Sequence, residues 1–154
     1  MFLYLVQHAQ ALSKDEDPSR SLSEKGIEDI KKMASFSRGL NIIPHQIVHS
    51  GKMRALQTAQ LLADRVNVDM GVLESDGLLP MDDPEIWFGR LSKINEDIML
   101  VGHLPHMEKL ASLLLCRDKD RGIIKFEMGS IVCLKRFEEF NWAVEWIIKP
   151  GMFK

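Results

Sequence analysis

Three residues able to move a phosphoryl group stand where three apolar runs end. FLYLV (2–6) gives way to Gln7-His8-Ala9, QIVHS (46–50) leads through Gly51-Lys52-Met53 to Arg54, and IMLVG (98–102) ends at His103. A neutral imidazole can attack phosphorus and carry it as a phosphoramidate. A guanidinium and a second imidazole can meet the negative charge that spreads over the equatorial oxygens of the group in flight. Each residue has a plainer explanation when taken singly. A histidine at a strand end is commonly structural, and an arginine at a turn is commonly solvated. Three of them at the ends of three runs of one kind point to a shared site.

For that to hold, the runs must be strands of one sheet. FLYLV and IMLVG are apolar throughout, as in strands covered on both faces. QIVHS reads as a second short strand. Helical spacing separates them. Ser23 caps a helix over 24–39 with Ile27, Ile30, Ala34 and Ser37 or Leu40 on its inner face, and 52–65 repeats the pattern at Ala55, Thr58, Ala59 and Leu62. A strand is expected around 69–73. In the loop GLLPMDDPE, Asp83-Pro84-Glu85 reads as a helix start: a capping carboxylate, a proline at the first helical position and an acid in the first turn. A further helix is expected over 106–115. SIVCLKRF (130–137), a turn near Asn141 and WAVEWIIK (142–149) then predict a hairpin at the sheet edge. This alternation predicts an α/β fold, a three-layer sandwich with a mostly parallel central sheet flanked by helices and an antiparallel C-terminal edge, in one domain over 1–154. In such sheets ligands bind outside the carboxyl ends of the strands, where His8, Arg54 and His103 would arrive together.

Composition narrows the partners. A formal net charge of −2 provides no basic footprint for nucleic acid or an anionic membrane. No run approaches the ~18 apolar residues of a spanning helix, and Met1–Val6 is too short, with no basic residue before it, for a signal peptide. Cys116 and Cys133 sit among apolar neighbours, so two buried free thiols are expected, which suits a reducing cytoplasm. His49 reads as structural, His45 as exposed and His106 as a polar first-turn residue. Trp87, Trp142 and Trp146 read as packing. No familiar ligand spacing such as H-E-x-x-H or C-x-x-C occurs, so neither a metal nor another cofactor is expected.

The stretches LVQHAQA, PSRSLSEKG, HSGKMRALQTAQLL and VGHLP resemble, in order and spacing, the motifs of the histidine phosphatase superfamily, whose fold is the phosphoglycerate mutase-like one. The compact length and motif shapes are most similar to its SixA-type phosphohistidine phosphatases. The resemblance runs from Met1 to about Leu115, and the terminal hairpin fits it. It implies that His8 is the nucleophile that becomes phosphorylated and that Arg54 holds the phosphoryl oxygens. It also implies that His103 stabilises the transition state from the opposite wall, and that Arg20 is an auxiliary basic residue.

Two departures matter. Gln7-His8-Ala9 stands where the family has Arg-His-Gly. Gln7 keeps a donor for a phosphate oxygen but no charge, and Lys52, Arg20 or a substrate cation can restore the missing one. Ala9 costs ~1 kcal/mol only if its backbone needs positive φ. The second departure is the acid that protonates the leaving oxygen in larger members. With Asp83 committed to a helix cap, Asp82 is the candidate. A phosphohistidine leaves as an imidazole that is protonated near neutral pH and needs less help from an acid.

The resulting expectation is a metal-independent phosphatase working through a phosphohistidine intermediate. Its partner would be a phosphorylated protein, most simply a His-containing phosphotransfer domain, or a small phosphate compound. Two alternatives stay open: a phosphate- or phosphoprotein-binding module of the same fold with Gln7 blunting turnover, and a metal-dependent hydrolase using His8, His103, His106 and Asp82.

Overall fold

The computed structural model describes residues 1–153. Six strands form one sheet in the order β3-β2-β4-β1-β5-β6. They are β1 (Phe2–Gln7), β2 (Gln46–His49), β3 (Val72–Glu74), β4 (Ile98–Gly102), β5 (Ile131–Arg136) and β6 (Trp142–Ile148). The pairs β1–β4, β4–β2 and β2–β3 are parallel, whereas β5 runs antiparallel to both β1 and β6.

Strand β1 is apolar up to Gln7 because it is covered on both faces. Tyr4 and Val6 join one buried cluster with Ile30, Met33 and Ala34 of α1 (Glu24–Gly39) and Ala55, Ala59 and Leu62 of α2 (Met53–Ala63). Leu3 and Leu5 join the other, with Trp87 and Leu91 of α3 (Glu85–Leu91) and Met107, Leu110 and Leu114 of α4 (His106–Cys116). This is the expected three-layer α/β sandwich. Strand β5 lies inside the sheet and feeds both clusters, Ile131 and Cys133 one, Val132 and Leu134 the other. Of the hairpin, only β6 is an edge. Among the described residues no helix is long and apolar enough to cross a membrane.

Local signals place most boundaries. Ser23 caps α1 by accepting from the Gly26 N–H. Its inner face is Ile30, Met33, Ala34 and Ser37, with Leu40 left exposed beyond the helix end. The Asp83 carboxylate accepts from the Glu85 N–H at 3.1 Å, the expected capping contact. The helix α3 it starts begins at Glu85, one residue after the proline.

Three expectations need correcting. The third strand starts at Val72 rather than 69, because the chain is still turning there: Met70 N–H is held by the His45 carbonyl and Gly71 has φ 78°. Cys116 is exposed at the last turn of α4, its thiol donating to the Ser112 carbonyl, and only Cys133 is buried. His106 is not a surface first-turn residue but is fully buried.

Candidate active site

His8, Arg54 and His103 meet at the carboxyl edge of the sheet. His8 follows β1, where Gln7 pairs with Gly102, the last residue of β4, and its N–H is held by the Gly102 carbonyl at 3.0 Å. The Gly129 N–H spans the carbonyls of Gln7 and His8 at 3.0 and 3.2 Å. Backbone bonds thus fix the position of the imidazole from both sides. Ala9 lies outside the positive-φ region, so its methyl introduces no backbone strain.

The His8 tautomer follows from its partners. Nδ1 faces the Ala9 carbonyl at 2.7 Å, and a carbonyl only accepts, so Nδ1 carries the proton. Nε2 therefore keeps its lone pair, and the Arg54 Nε–H donates to it at 3.2 Å. Burial lowers the His8 pKa to about 4; the Ala9 carbonyl pulls it up, while Arg54 and Arg20 push it down. At neutral pH His8 is an uncharged base with its nucleophilic nitrogen directed at a guanidinium.

His103 lies across from it, the ring centroids 5.0 Å apart. Its Nε2 and Ser50 Oγ are 2.6 Å apart. Its pKa is lowered to about 3, by burial first and then by His8, Arg54, Lys52 and His106. Among the groups that shift His8 and His103, none is acidic, and no ion pair among the described residues involves Arg20, Lys52 or Arg54. Helix α2 adds backbone donors, since no side chain caps its N-terminus. An uncompensated cationic edge of this kind is complementary to an anion.

Helix α2 positions the site through three polar residues at i, i+3 and i+4. Arg54 reaches His8, Gln57 Oε1 accepts from the Leu22 N–H at 2.7 Å, and Thr58 Oγ1 accepts from the Ala9 N–H at 3.1 Å. Thr58 in turn donates to the Arg54 carbonyl at 2.7 Å. The turn into α2 depends on Gly51, whose φ of 85° favours glycine. On the other side, Gly26 lets α1 approach the Gln10 carbonyl so closely that a Cβ would collide with it. The loop carrying Arg20 is thereby docked against the chain that follows His8.

Arg20 has φ 54°, a left-handed conformation costing about 1 kcal/mol for a residue with a Cβ. Its N–H is held by the Asp17 carbonyl and its Nε–H donates to the Leu12 carbonyl at 3.2 Å. The Asp17 carboxylate serves the N–H groups of Ser19 and Ser21 rather than the guanidinium. Arg20 is not neutralised by its acidic neighbours, and its charge reaches both His8 and Arg54.

Asp82 stands apart. Its carboxylate accepts from the Leu79 N–H at 2.9 Å, and it lines a cavity of about 200 Å³ with Asp83, Pro105 and Lys109. Among the described residues its hydrogen bonds reach neither His8 nor His103; its charge is felt at His106. His49 is structural, accepting the Gly51 N–H on Nδ1. No three His, Cys, Asp or Glu side chains of the described residues are gathered where they could hold a metal ion. His8, His103, His106 and Asp82 therefore do not form the ligand set of the metal-dependent reading.

Sequence reasoning missed Ser50, Gln57, Thr58 and the burial of His106. The spacing of Arg54, Gln57 and Thr58 on one helical face was the available signal for two of them.

No family model and no curated protein matches the sequence. Solved structures do match the fold. The protein histidine phosphatase SixA complexed with tungstate superposes with a TM-score of 0.87 over 100% of both chains at 21% identity. A candidate phosphohistidine phosphatase SixA from Agrobacterium tumefaciens gives 0.79 at 22% identity, over 97% of this chain and 98% of that one. A mutant of the phosphoserine phosphatase from Entamoeba histolytica in complex with phosphoserine gives 0.71 at 15% identity, over 99% of each. The chain has the α/β fold of the histidine phosphatases, the phosphoglycerate mutase-like fold.

Proposed function

We propose that the chain is a metal-independent phosphatase that works through phosphorylated His8, with protein phosphohistidine as its substrate class. The observation that carries this reading is the unprotonated Nε2 of His8 beside Arg54 at a sheet edge whose other charges, Arg20 and Lys52, are also positive.

His8 Nε2 attacks phosphorus, the bond from phosphorus to the donor imidazole breaks, and that imidazole takes up a proton. Arg54 moves from the Nε2 lone pair to the phosphoryl oxygens, and His103, on the facing wall, stabilises the charge that develops there. Water then attacks the phosphoryl on His8, releasing inorganic phosphate and returning the lone pair to Nε2. Asp82, the candidate acid, has its carboxylate engaged by the Leu79 N–H. This favours a substrate whose leaving group is itself basic. The likeness to SixA supports the same class.

The second reading, a phosphate- or phosphoprotein-binding module, is favoured by Gln7, which supplies no charge beside His8. The two are separated by incubation with a phosphohistidine-containing phosphotransfer protein. The phosphatase reading expects release of inorganic phosphate, inhibition by tungstate and no release by His8→Ala. Tungstate binding without phosphate release would establish the binding module instead. Activity abolished by a chelator and restored by zinc or manganese would overturn the metal-free mechanism.

A further inference from the structure

Ser50 stands at the carboxyl edge of the sheet with no part in the chemistry assigned to His8, Arg54 and His103. It directly follows β2, the neighbour of β4, and is buried. Its Oγ lies 2.6 Å from His103 Nε2 and accepts the Lys52 N–H at 3.4 Å. One hydroxyl thus joins the end of β2, the residue that begins α2 and the histidine whose ring lies 5.0 Å from that of His8.

The two nitrogens of His103 are not equivalent. Nδ1 is buried and has no hydrogen-bond partner among the described residues, so it is closed to a phosphoryl oxygen. Nε2 is the nitrogen left for that contact, and to stabilise an oxyanion it must carry a proton. Burial keeps the ring neutral, and a neutral imidazole has one proton to place. On Nδ1 that proton would be buried without an acceptor, whereas on Nε2 it is donated to Ser50 Oγ. The hydroxyl then accepts twice, from His103 and from the Lys52 N–H. Its own proton is left to donate.

We infer that Ser50 is a further catalytic residue of this site, the acceptor that holds the His103 Nε2–H before the phosphoryl group arrives and a donor to that group afterwards. The incoming oxygen takes the Nε2–H from Ser50 Oγ, and the hydroxyl turns its proton to a phosphoryl oxygen. The exchange parallels the one at His8, where the Arg54 Nε–H rests on Nε2 until the phosphoryl oxygens draw it away. Both donors are kept on internal acceptors beside the place where they are needed, so neither has to be brought in from a distance. The effect on turnover rests on the phosphatase reading; the contact with a phosphoryl-like anion does not.

A calorimetric titration of wild type and Ser50→Ala with tungstate, with histidine 15N–1H correlation spectra before and after, tests the inference. The expected wild type has His103 protonated on Nε2 and not on Nδ1, and that N–H signal moves as tungstate replaces Ser50 as its acceptor. Ser50→Ala is expected to bind tungstate about tenfold more weakly, because a hydrogen bond to a charged group is lost while only a neutral one no longer has to break. On a phosphohistidine protein its kcat/KM should fall by a similar factor. A wild-type His103 protonated on Nδ1 overturns the proposal without any variant, so a misfolded Ser50→Ala does not shelter it. An Nε2–H signal that tungstate leaves in place, or a folded Ser50→Ala that binds tungstate as tightly as wild type, overturns it as well. The expected binding and spectra in a protein that releases no phosphate would uphold Ser50 as an anion contact and overturn the phosphatase reading.

Discussion

Replacing Thr58 by valine removes one hydroxyl and almost no volume, and so isolates the tie between the turn that carries His8 and the helix that carries Arg54. Thr58 and Ala9 are both fully buried, and Thr58 Oγ1 is the acceptor of the Ala9 N–H at 3.1 Å. With valine that N–H is buried without a partner, at a cost of ~1–3 kcal/mol. For a chain of this length each kcal/mol shifts Tm by roughly 2–4 °C, so a fall of about 2–12 °C is expected. Thr58→Ser keeps the hydroxyl and loses only a methyl, and its fall should stay near ~1 kcal/mol. The same hydroxyl donates to the Arg54 carbonyl, so valine should also loosen His8 relative to Arg54 and lower kcat/KM more than serine does. Thermal melts and phosphate-release assays of the two variants measure both effects. Valine melting with wild type, or serine losing as much as valine, would refute the reasoning.

Acid should destabilise the fold, because His8 and His103 are kept neutral with pKa values of about 4 and about 3, and burial lowers those of His49 and His106 too. Below about 6.5 the unfolded histidines bind protons that the folded ones do not, so stability is full above that pH. For His8 and His103 the fall is about 1.4 kcal/mol per pH unit per site on acidification, until their folded values of about 4 and about 3 are reached. Denaturation midpoints between pH 7 and 4.5 check this, and His8→Asn should flatten the slope by about one such increment; an identical slope would contradict the neutral His8. Gln7→Arg places a second fixed charge beside His8 and is expected to raise phosphate release; a fall would show that Gln7 belongs to a different, working pocket. Lys52→Ala removes an exposed charge, worth ~0.2–1 kcal/mol, and should weaken tungstate binding a few-fold in calorimetry. Arg54→Ala should weaken it far more, and equal effects would show that Arg54 does not hold the anion.

Much of this was legible in the residues. Continuous apolar runs marked β1 and β4 because both faces are covered, and their ends located His8 and His103. The spacing within MRALQTAQLLA placed α2 with Arg54 at its start. What escaped depended on tertiary packing or on polar contacts made across the fold. His106 looked like a first-turn surface residue, although it shares the helical spacing of Leu110 and Leu114, both buried; its polarity hid its place on that face. Strand β3 is short, with Leu73 and Glu74 exposed, so its position came from pairing with Ile47 and Val48 rather than from a pattern of its own. Cys116 has apolar neighbours in sequence but lies on the outer side of the last helical turn. Gln7 was visible as a departure, and its buried Oε1 has no hydrogen-bond partner among the described residues.

The central claim is that His8 carries the phosphoryl group. Rapid acid-free quenching of the protein mixed with a phosphohistidine phosphotransfer protein, followed by intact mass and peptide mapping, tests it most directly. The account predicts one phosphoryl group on the wild type, mapped to His8 and absent from His8→Ala. Phosphate release with no phosphoryl on the protein, or a phosphoryl mapped to another residue, would contradict it.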